Sequence, residues 1–399
     1  MARFSLQDVI LPKFEISLER KKTFIAEVEA VLENTLALRA AFAARGRELD
    51  TSAWKLVRTK DDVRAYRSRR VLHAVEPRID ASSSSSSTVS TGSYLSENIH
   101  AKKTVRPPAV VLSGTVDGTA EDAVLGMFAD SEQHCLLRQS YMGTDLEDSR
   151  LLFRVVAPTS QNPFTFIGVK WGRQTYGRFS QPRDFVFLEA TGIIQDASGD
   201  SVSYGIRQST DLSEVLTLPR SHHVRRGHLS VCQTFANQNP LMAGSTRHSV
   251  EMFSRAFLQM DGDVLVNVAA SAFAEKLMAF ASTMECATAY KLTWRMRQCF
   301  HPARSEANMD LVNGFCTNCM RSLGTFKNLL LPRGGTCQVC RHFYCGKCSV
   351  FKKIAIGTGG NDVMQKSMLF CLECLLKAKH TSAREVAIDL QKWHLLAQN

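Results

Sequence analysis

Cys316-Thr317-Asn318-Cys319, Cys337-Gln338-Val339-Cys340, Cys345-Gly346-Lys347-Cys348 and Cys371-Leu372-Glu373-Cys374 are four copies of one device: two thiols separated by two residues. A Cys-x-x-Cys turn lets two thiolates grip one tetrahedral ion, and Zn²⁺ closes its shell with four such ligands. Eight thiolates therefore predict two structural zinc ions. The gaps between pairs are 17, 4 and 22 residues, and the short middle gap sets the second and third pairs side by side, too close for two fingers in series. The spacing predicts an interleaved brace, with Cys316, Cys319, Cys345 and Cys348 on one ion and Cys337, Cys340, Cys371 and Cys374 on the other. Four disulfides in a secreted module are the competing reading. The opening MARFSLQDVI carries no apolar leader, so a reducing compartment is expected. A redox role for one pair does not account for four in register.

This order of pairs, with Tyr344 just before Cys345 and Ser349 just after Cys348, resembles the FYVE-type zinc finger. Asp310, six residues before Cys316, stands where the aspartate of the family's Trp-x-x-Asp motif would. The resemblance implies a two-zinc cross-brace over residues 305–380, a fold whose typical members read phosphatidylinositol 3-phosphate on endosomal membranes. The lipid-reading motif departs from the family. Its Arg-(Arg/Lys)-His-His-Cys-Arg is represented by Arg333, Gly334, Gly335, Thr336, Cys337 and Gln338, while Ala307 replaces the tryptophan and Leu369 a usual arginine. Phosphate recognition needs several charge-assisted donors on one anion, so the resemblance implies the metal fold and not the family's headgroup specificity. In the family the region matching Phe326 to Leu331 enters the bilayer, which makes Leu329, Leu330 and Leu331, with Arg333, the candidate membrane contacts. Packing of these leucines beneath the brace is the competing reading, since exposed apolar patches need a reason.

Beyond the cysteines, 399 residues with 44% apolar content fit two domains and a sizeable core. No run approaches 18 uninterrupted apolar residues, so no spanning helix is expected. The net charge of +11 favours acidic partners, lipid surfaces ahead of nucleic acid. The last 99 residues carry 13 lysines and arginines against 6 aspartates and glutamates, so most of the surplus lies there. Cys135, Cys232, Cys286 and Cys299 are scattered and read as buried thiols rather than ligands.

Leu18, Phe24, Ile25, Val28, Val31, Leu32, Leu36, Leu38 and Phe42 recur at helical spacing and predict a helix over 18–46 that covers a following sheet. Trp54–Arg58 and Val63–Arg67 read as a hairpin about Lys60-Asp61-Asp62. Residues 81–104, with Ser82 to Ser87, form a flexible insertion without material for a core. A strand over 109–116 and a helix opening at Thr119-Ala120-Glu121-Asp122 follow. Next come strands at Leu151–Val156, Thr165–Gly172, Asp184–Thr191, Val202–Gln208 and Val224–Phe235, which predict an antiparallel curved sheet. One long helix from Val264 to about Arg297 closes the region. The order of elements, with Trp54, Val63 and Tyr66 in the hairpin, Pro182-Arg183-Asp184-Phe185 opening a strand and Val224-Arg225-Arg226-Gly227 in a late one, resembles the START-type helix-grip fold of lipid-transfer domains.

The fold class is therefore α+β: a START-like domain over 1–297, a FYVE-like finger over 305–380, and a tail or helix over 381–399. The START resemblance implies one deep apolar pocket for a lipid or sterol, with few polar groups fixing orientation. Catalysis is not expected. His222, His223 and His228 lack an acidic or cysteine partner at regular spacing, and no nucleophile-elbow, phosphate-loop or His-Glu-x-x-His motif occurs. The reading is a cytoplasmic adaptor, peripheral to endosomal or other membranes, that binds a lipid in its pocket and docks on an anionic membrane or a protein partner. One alternative is a RING-like ubiquitin ligase, although His342 lies off the Cys-x-His register that RING fingers use. The other is a finger that binds protein and no lipid.

Overall fold

Phe185, Val186, Phe187 and Leu188 are four consecutive apolar residues, and a strand apolar on both sides must be covered on both faces. The computed structural model shows that cover. It describes residues 15–69, 109–143, 148–176, 181–196, 199–212, 215, 224–238, 249–260, 266–299, 315–321, 334–359 and 362–396. The Ser-rich stretch at 81–104, the leucines at 329–331, Arg333, Asp310, Ala307 and His222-His223 lie outside the described residues.

Among the described residues, nine strands form one antiparallel sheet: β1 (Trp54–Lys60), β2 (Val63–Ser68), β3 (Val110–Asp117), β4 (Asp148–Val156), β5 (Phe166–Gln174), β6 (Arg183–Gln195), β7 (Ser201–Ser209), β8 (Arg225–Asn237) and β9 (Ser249–Met260). Their spatial order is β1-β2-β3-β9-β8-β7-β6-β5-β4, so the last strand slots between β3 and β8. The ends of β6 and β8 also meet in parallel at Arg183↔Arg225 and Asp184↔Arg226, bending the sheet around the shorter β7. Within the sheet, β9 is a strand that the sequence pattern does not predict. It has no two-residue alternation, because Met252 and Phe253, Arg255 and Ala256 are buried on opposite faces.

Helix α1 (Leu18–Ala44) lies across one face, as its apolar spacing predicts, and Ser17 caps it by accepting from the Arg20 N–H. Phe24, Val28, Val31 and Leu32 pack there against Val169, Trp171, Val186, Leu188, Ile206 and Cys232. The opposite face is gripped by α2 (Ala120–Met127), α3 (Glu132–Met142), α4 (Val266–Leu277) and α5 (Thr283–Gln298). Thr119 and Asp122 close a capping box on α2, as the sequence predicts. The expected single helix from Val264 to Arg297 is instead two helices joined by a 3₁₀ segment, Met278–Ser282. Met-Ala-Phe-Ala-Ser contains no helix breaker, so tertiary packing sets this break: Met278 and Phe280 turn inward to join the core under the sheet.

The C-terminal part consists of two short strands, β10 (Gly335–Thr336) and β11 (Phe343–Tyr344), a long hairpin of β12 (Ser349–Gly359) and β13 (Asp362–Cys371), and helices α6 (Leu372–His380) and α7 (Ala383–Leu396). It packs on the sheet domain through α5. Cys286, Ala287 and Tyr290 of that helix face the sheet core, while Ala289 and Leu292, one step around, join the core of the cysteine-rich part. Ala383, Val386 and Ala387 of α7 return to the sheet-domain core. Trp294 Nε1 donates to Asp389 Oδ2 at 2.7 Å, and Arg384 donates to the Gln161 carbonyl at 2.7 Å.

A Cβ on Gly126 of α2 would stand 2.1 Å from the Thr283 carbonyl oxygen at the start of α5. Gly126→Ala therefore forces the two helices apart. The expected loss is about 1–3 kcal/mol, the range for overpacking, read as a lower thermal midpoint; an unchanged midpoint would contradict this close approach.

Candidate metal centres and the buried charge cluster

The eight cysteines of the four pairs come together in two groups, Cys316, Cys319, Cys345 and Cys348 in one and Cys337, Cys340, Cys371 and Cys374 in the other, with the sulfurs of each group within 4.8 Å of one another. These are the interleaved sets that the 17–4–22 spacing predicts. All twelve cysteines are free thiols, which disposes of the disulfide framework among these residues. The fit to zinc is metrical. Four sulfurs at about 2.3 Å from a tetrahedral Zn²⁺ lie about 3.8 Å apart. The structure places Cys319 and Cys345 sulfurs 3.7 Å apart and Cys340 and Cys371 sulfurs 3.9 Å apart.

Local backbone chemistry makes each grip. Met320 N–H donates to the Cys316 carbonyl at 2.8 Å, and Arg341 N–H to the Cys337 carbonyl at 3.0 Å. Each turn ends on a residue with positive φ, 53° at Met320 and 64° at Arg341, a conformation that non-glycine residues seldom adopt. The first and second pairs thus form matching turns. The interlock comes from the strands. Ser349 pairs with Cys371 at the base of the β12–β13 hairpin, so Cys348 of one set and Cys371 of the other sit at neighbouring positions across that base. Cys371 also caps α6, its sulfur accepting from the Cys374 N–H at 3.3 Å. Outer groups support the sulfurs: Asn318 Nδ2 donates to Cys348 Sγ at 3.3 Å, and the Tyr344 hydroxyl lies 3.4 Å from Cys340 Sγ. His342 is exposed and belongs to neither set. Of the other cysteines, Cys135, Cys232 and Cys286 are buried as expected, but Cys299 at the end of α5 is exposed. The candidate membrane residues Leu329, Leu330, Leu331 and Arg333 fall outside the described residues.

A second constellation went unread in the sequence. Glu189 of β6 is fully enclosed and receives three cations: Arg138 of α3 at 2.7 Å, Arg207 of β7 at 3.2 Å, and the Lys170 ammonium of β5. Burial alone would raise the Glu189 carboxyl; the charges of Arg138, Lys170 and Arg207 more than offset that and hold it well below the usual carboxylate range. Arg207 also stacks its guanidinium 5.1 Å from the Phe280 ring in the 3₁₀ segment. Arg138, Glu189, Arg207 and Phe280 line a cavity of about 10 Å³ together with Met127, Thr191, Ile206, Val231 and Gln233. That is room for about one water. Among the described residues, Met127 and Phe280 occupy the space between the sheet and the 3₁₀ segment beside this cluster.

No protein-family model matches the sequence, and no curated protein matches it. Solved structures do. Human StAR-related lipid transfer protein 5 is 16% identical over 67% of this chain and 97% of its own, with a TM-score of 0.39. Human STARD10 is 10% identical over 66% of this chain and 82% of its own, TM-score 0.34. The human StarD13 (DLC2) lipid transfer and protein localization domain is 10% identical over 63% of this chain and 95% of its own, TM-score 0.34. At these identities and scores, the helix-grip description rests on this chain's own sheet and helices. Among the described residues, no helix is long and apolar enough to cross a membrane.

Two outcomes follow from the geometry. Glu189→Gln leaves three cations without their shared carboxylate and should cost about 3–5 kcal/mol, the usual range for breaking a buried pair; denaturant unfolding with an unmoved midpoint would refute the cluster. Because the folded-state pKa of Glu189 is depressed, its contribution is complete above the unfolded carboxylate value of about 4.3 and drains away below it. At the metal centres, Cys345→Ser should release zinc and melt the hairpin signal in circular dichroism, whereas Cys286→Ser, in the sheet-domain core, should leave zinc content intact. Equal zinc loss from both would count against the two ligand sets.

Proposed function

We propose that the protein is a non-catalytic lipid-binding adaptor, with a START-like domain over 1–297, a FYVE-type finger over 305–380 holding two structural zinc ions, and a C-terminal helical segment over 381–399. The single observation that carries the lipid reading is the convergence of Arg138, Glu189, Thr191, Arg207 and Gln233 on one point in an otherwise apolar interior. A few polar groups set in an apolar lining are how small-molecule sites fix orientation. The gripping helix is interrupted at Met278–Ser282, over that same point, and Phe280 of the interruption forms the roof. Displacing this short segment is the economical way to open the space, because a 3₁₀ turn has weaker hydrogen bonds than an α-helix. A headgroup would then meet the charged floor while its acyl chains run along Met127 and Val231.

The absence of catalysis is supported by the donor set. Four sulfurs around each ion would leave no open coordination position for water or substrate, the pattern of structural zinc. In this reading Cys316, Cys319, Cys345 and Cys348 hold one ion and Cys337, Cys340, Cys371 and Cys374 the other. The finger docks the protein from the cytoplasmic side on endosomal or other membranes containing phosphoinositide, or on a protein partner. The C-terminal 99 residues carry 13 cations against 6 acids, and with eight thiolates and two Zn²⁺ counted a surplus of about +3 remains, which supports the membrane.

Mass spectrometry of lipids extracted from the purified full-length protein tests the pocket. One enriched lipid class near stoichiometric amounts is expected, and Phe280→Ala should speed its exchange into labelled acceptor vesicles. Lipid-free protein that takes up no labelled lipid in either form would overturn the reading.

A further inference from the structure

The wall of the cavity beside Glu189 is of two kinds. Most of its lining comes from strands β6, β7 and β8, which the sheet ladder holds in register. The rest comes from three side chains on helical elements: Met127 at the end of α2, Arg138 of α3 and Phe280 of the 3₁₀ segment. These three form the movable side, because packed helices slide at lower cost than paired strands separate. A cavity with room for about one water admits no larger molecule until they move.

Each of these elements is held from outside by the cysteine-rich part. On α3, the turn that aims Arg138 at Glu189 also carries Ser140 and Tyr141. The Ala355 N–H of β12 donates to the Tyr141 hydroxyl at 2.7 Å. Gln365 Nε2 of β13 donates to the Ser140 carbonyl at 2.9 Å and to its hydroxyl at 3.0 Å. Ala355 and Gln365 are register partners, so one rung of the hairpin clamps one helical turn. The Tyr141 ring packs against both cores and meets Tyr290 edge-on at 6.0 Å. The 3₁₀ segment runs straight into α5, where Ala289 and Leu292 are buried in the core of the cysteine-rich part. On α2, Asp122 pairs with Lys291 of α5, and Lys291 donates to the Lys379 carbonyl of α6 at 3.1 Å. Helix α7, which follows α6, lies against α2 and buries Val386 in the sheet-domain core.

We propose that the cysteine-rich part is a clamp on this cavity, so that metal loading of its two cysteine groups sets how readily the cavity opens. This rests on the lipid-binding reading and adds its regulation. With both sulfur groups ligated, β12–β13, α6 and α7 hold α2, α3 and the 3₁₀ segment down on the sheet. Without metal, the hairpin base and the cysteine turns lose their common centres, and with them the folding free energy that ligation supplies to modules of this size. Met127, Arg138 and Phe280 then keep only their contacts within the sheet domain, and the segment around Phe280 opens more often. The effect falls on opening, so ligand entry and exit quicken together.

Hydrogen exchange read by mass spectrometry on the full-length protein, zinc-loaded and after chelation, tests the clamp whatever the ligand. Chelation is expected to speed amide exchange over 132–142 and 278–282 roughly tenfold or more, since the hydrogen bonds of the rung alone are worth about fivefold each. Strands β5 to β8 should keep their protection. Tyr141→Phe with Gln365→Ala leaves all eight sulfurs in place and should quicken exchange over 132–142 by about tenfold at full zinc content. Unchanged exchange at both segments after chelation, or over 132–142 in the double variant, overturns the clamp. So does an equal loss of protection in β5 to β8, which would make the metal a requirement of the whole fold. Lipid carried by the zinc-loaded protein should pass to phosphatidylcholine acceptor vesicles faster after chelation, by a similar factor; transfer at an unchanged rate overturns the gating. If exchange responds and no lipid is carried in either state, the clamp stands and the lipid-binding reading fails.

Discussion

Two groups of four cysteine sulfurs, each able to hold one zinc ion, are the constraint on which the C-terminal part of the molecule depends. The described residues there bury few large apolar side chains, chiefly Val339, Tyr344, Ile354, Leu369 and Phe370. So small a core cannot offset the conformational entropy of some fifty ordered residues. Metal held by the two cysteine groups would offset it, because in modules of this size binding free energy is folding free energy. The interlock matters as much as the ions. With Cys348 and Cys371 brought side by side by one hairpin base, neither tetrahedron can open without disturbing the other.

Helix α5 carries that rigidity into the sheet domain. Its Cys286, Ala287 and Tyr290 serve one core and its Ala289 and Leu292 another, so a helix that in isolation would grip only a sheet also seats the finger. Lys291 between these faces donates to the Lys379 carbonyl at 3.1 Å and pairs with Asp122, binding α6 and α2 to the same residue. The α7 helix completes the wrap by returning Val386 to the first core. The result is one body in which the hairpin, the gripping helix and the charged floor around Glu189 hold fixed positions relative to each other.

What the sequence made legible was local in sequence. Candidate metal ligands announce themselves because the Cys-x-x-Cys turn is a four-residue device, and the interleaving of the two groups follows from one short gap. Helix α1 and the strands of the hairpin and of β4 to β8 show their periods because each has a covered and a contrasting face, or turn residues at both ends. β9 hides because Met252, Phe253, Arg255 and Ala256 are all buried, with Arg255 satisfied by Thr35 at 3.0 Å and Ser230 at 2.8 Å rather than by a carboxylate. The break at Met278–Ser282 hides because its residues suit a helix and only packing bends them. The Glu189 cluster was beyond reach for a topological reason. Arg138, Lys170, Glu189 and Arg207 come from α3, β5, β6 and β7, and only the strand register sets Glu189 opposite Arg207. Long-range pairing of this kind leaves no spacing to read.

The most direct measurement of the central claim is zinc K-edge X-ray absorption on the purified full-length protein, with elemental analysis of the same sample. The account predicts two zinc ions per chain, each with four sulfur neighbours at about 2.3 Å and no nitrogen or oxygen in the shell. Fewer than two ions per chain, or a shell containing lighter ligands, would contradict it.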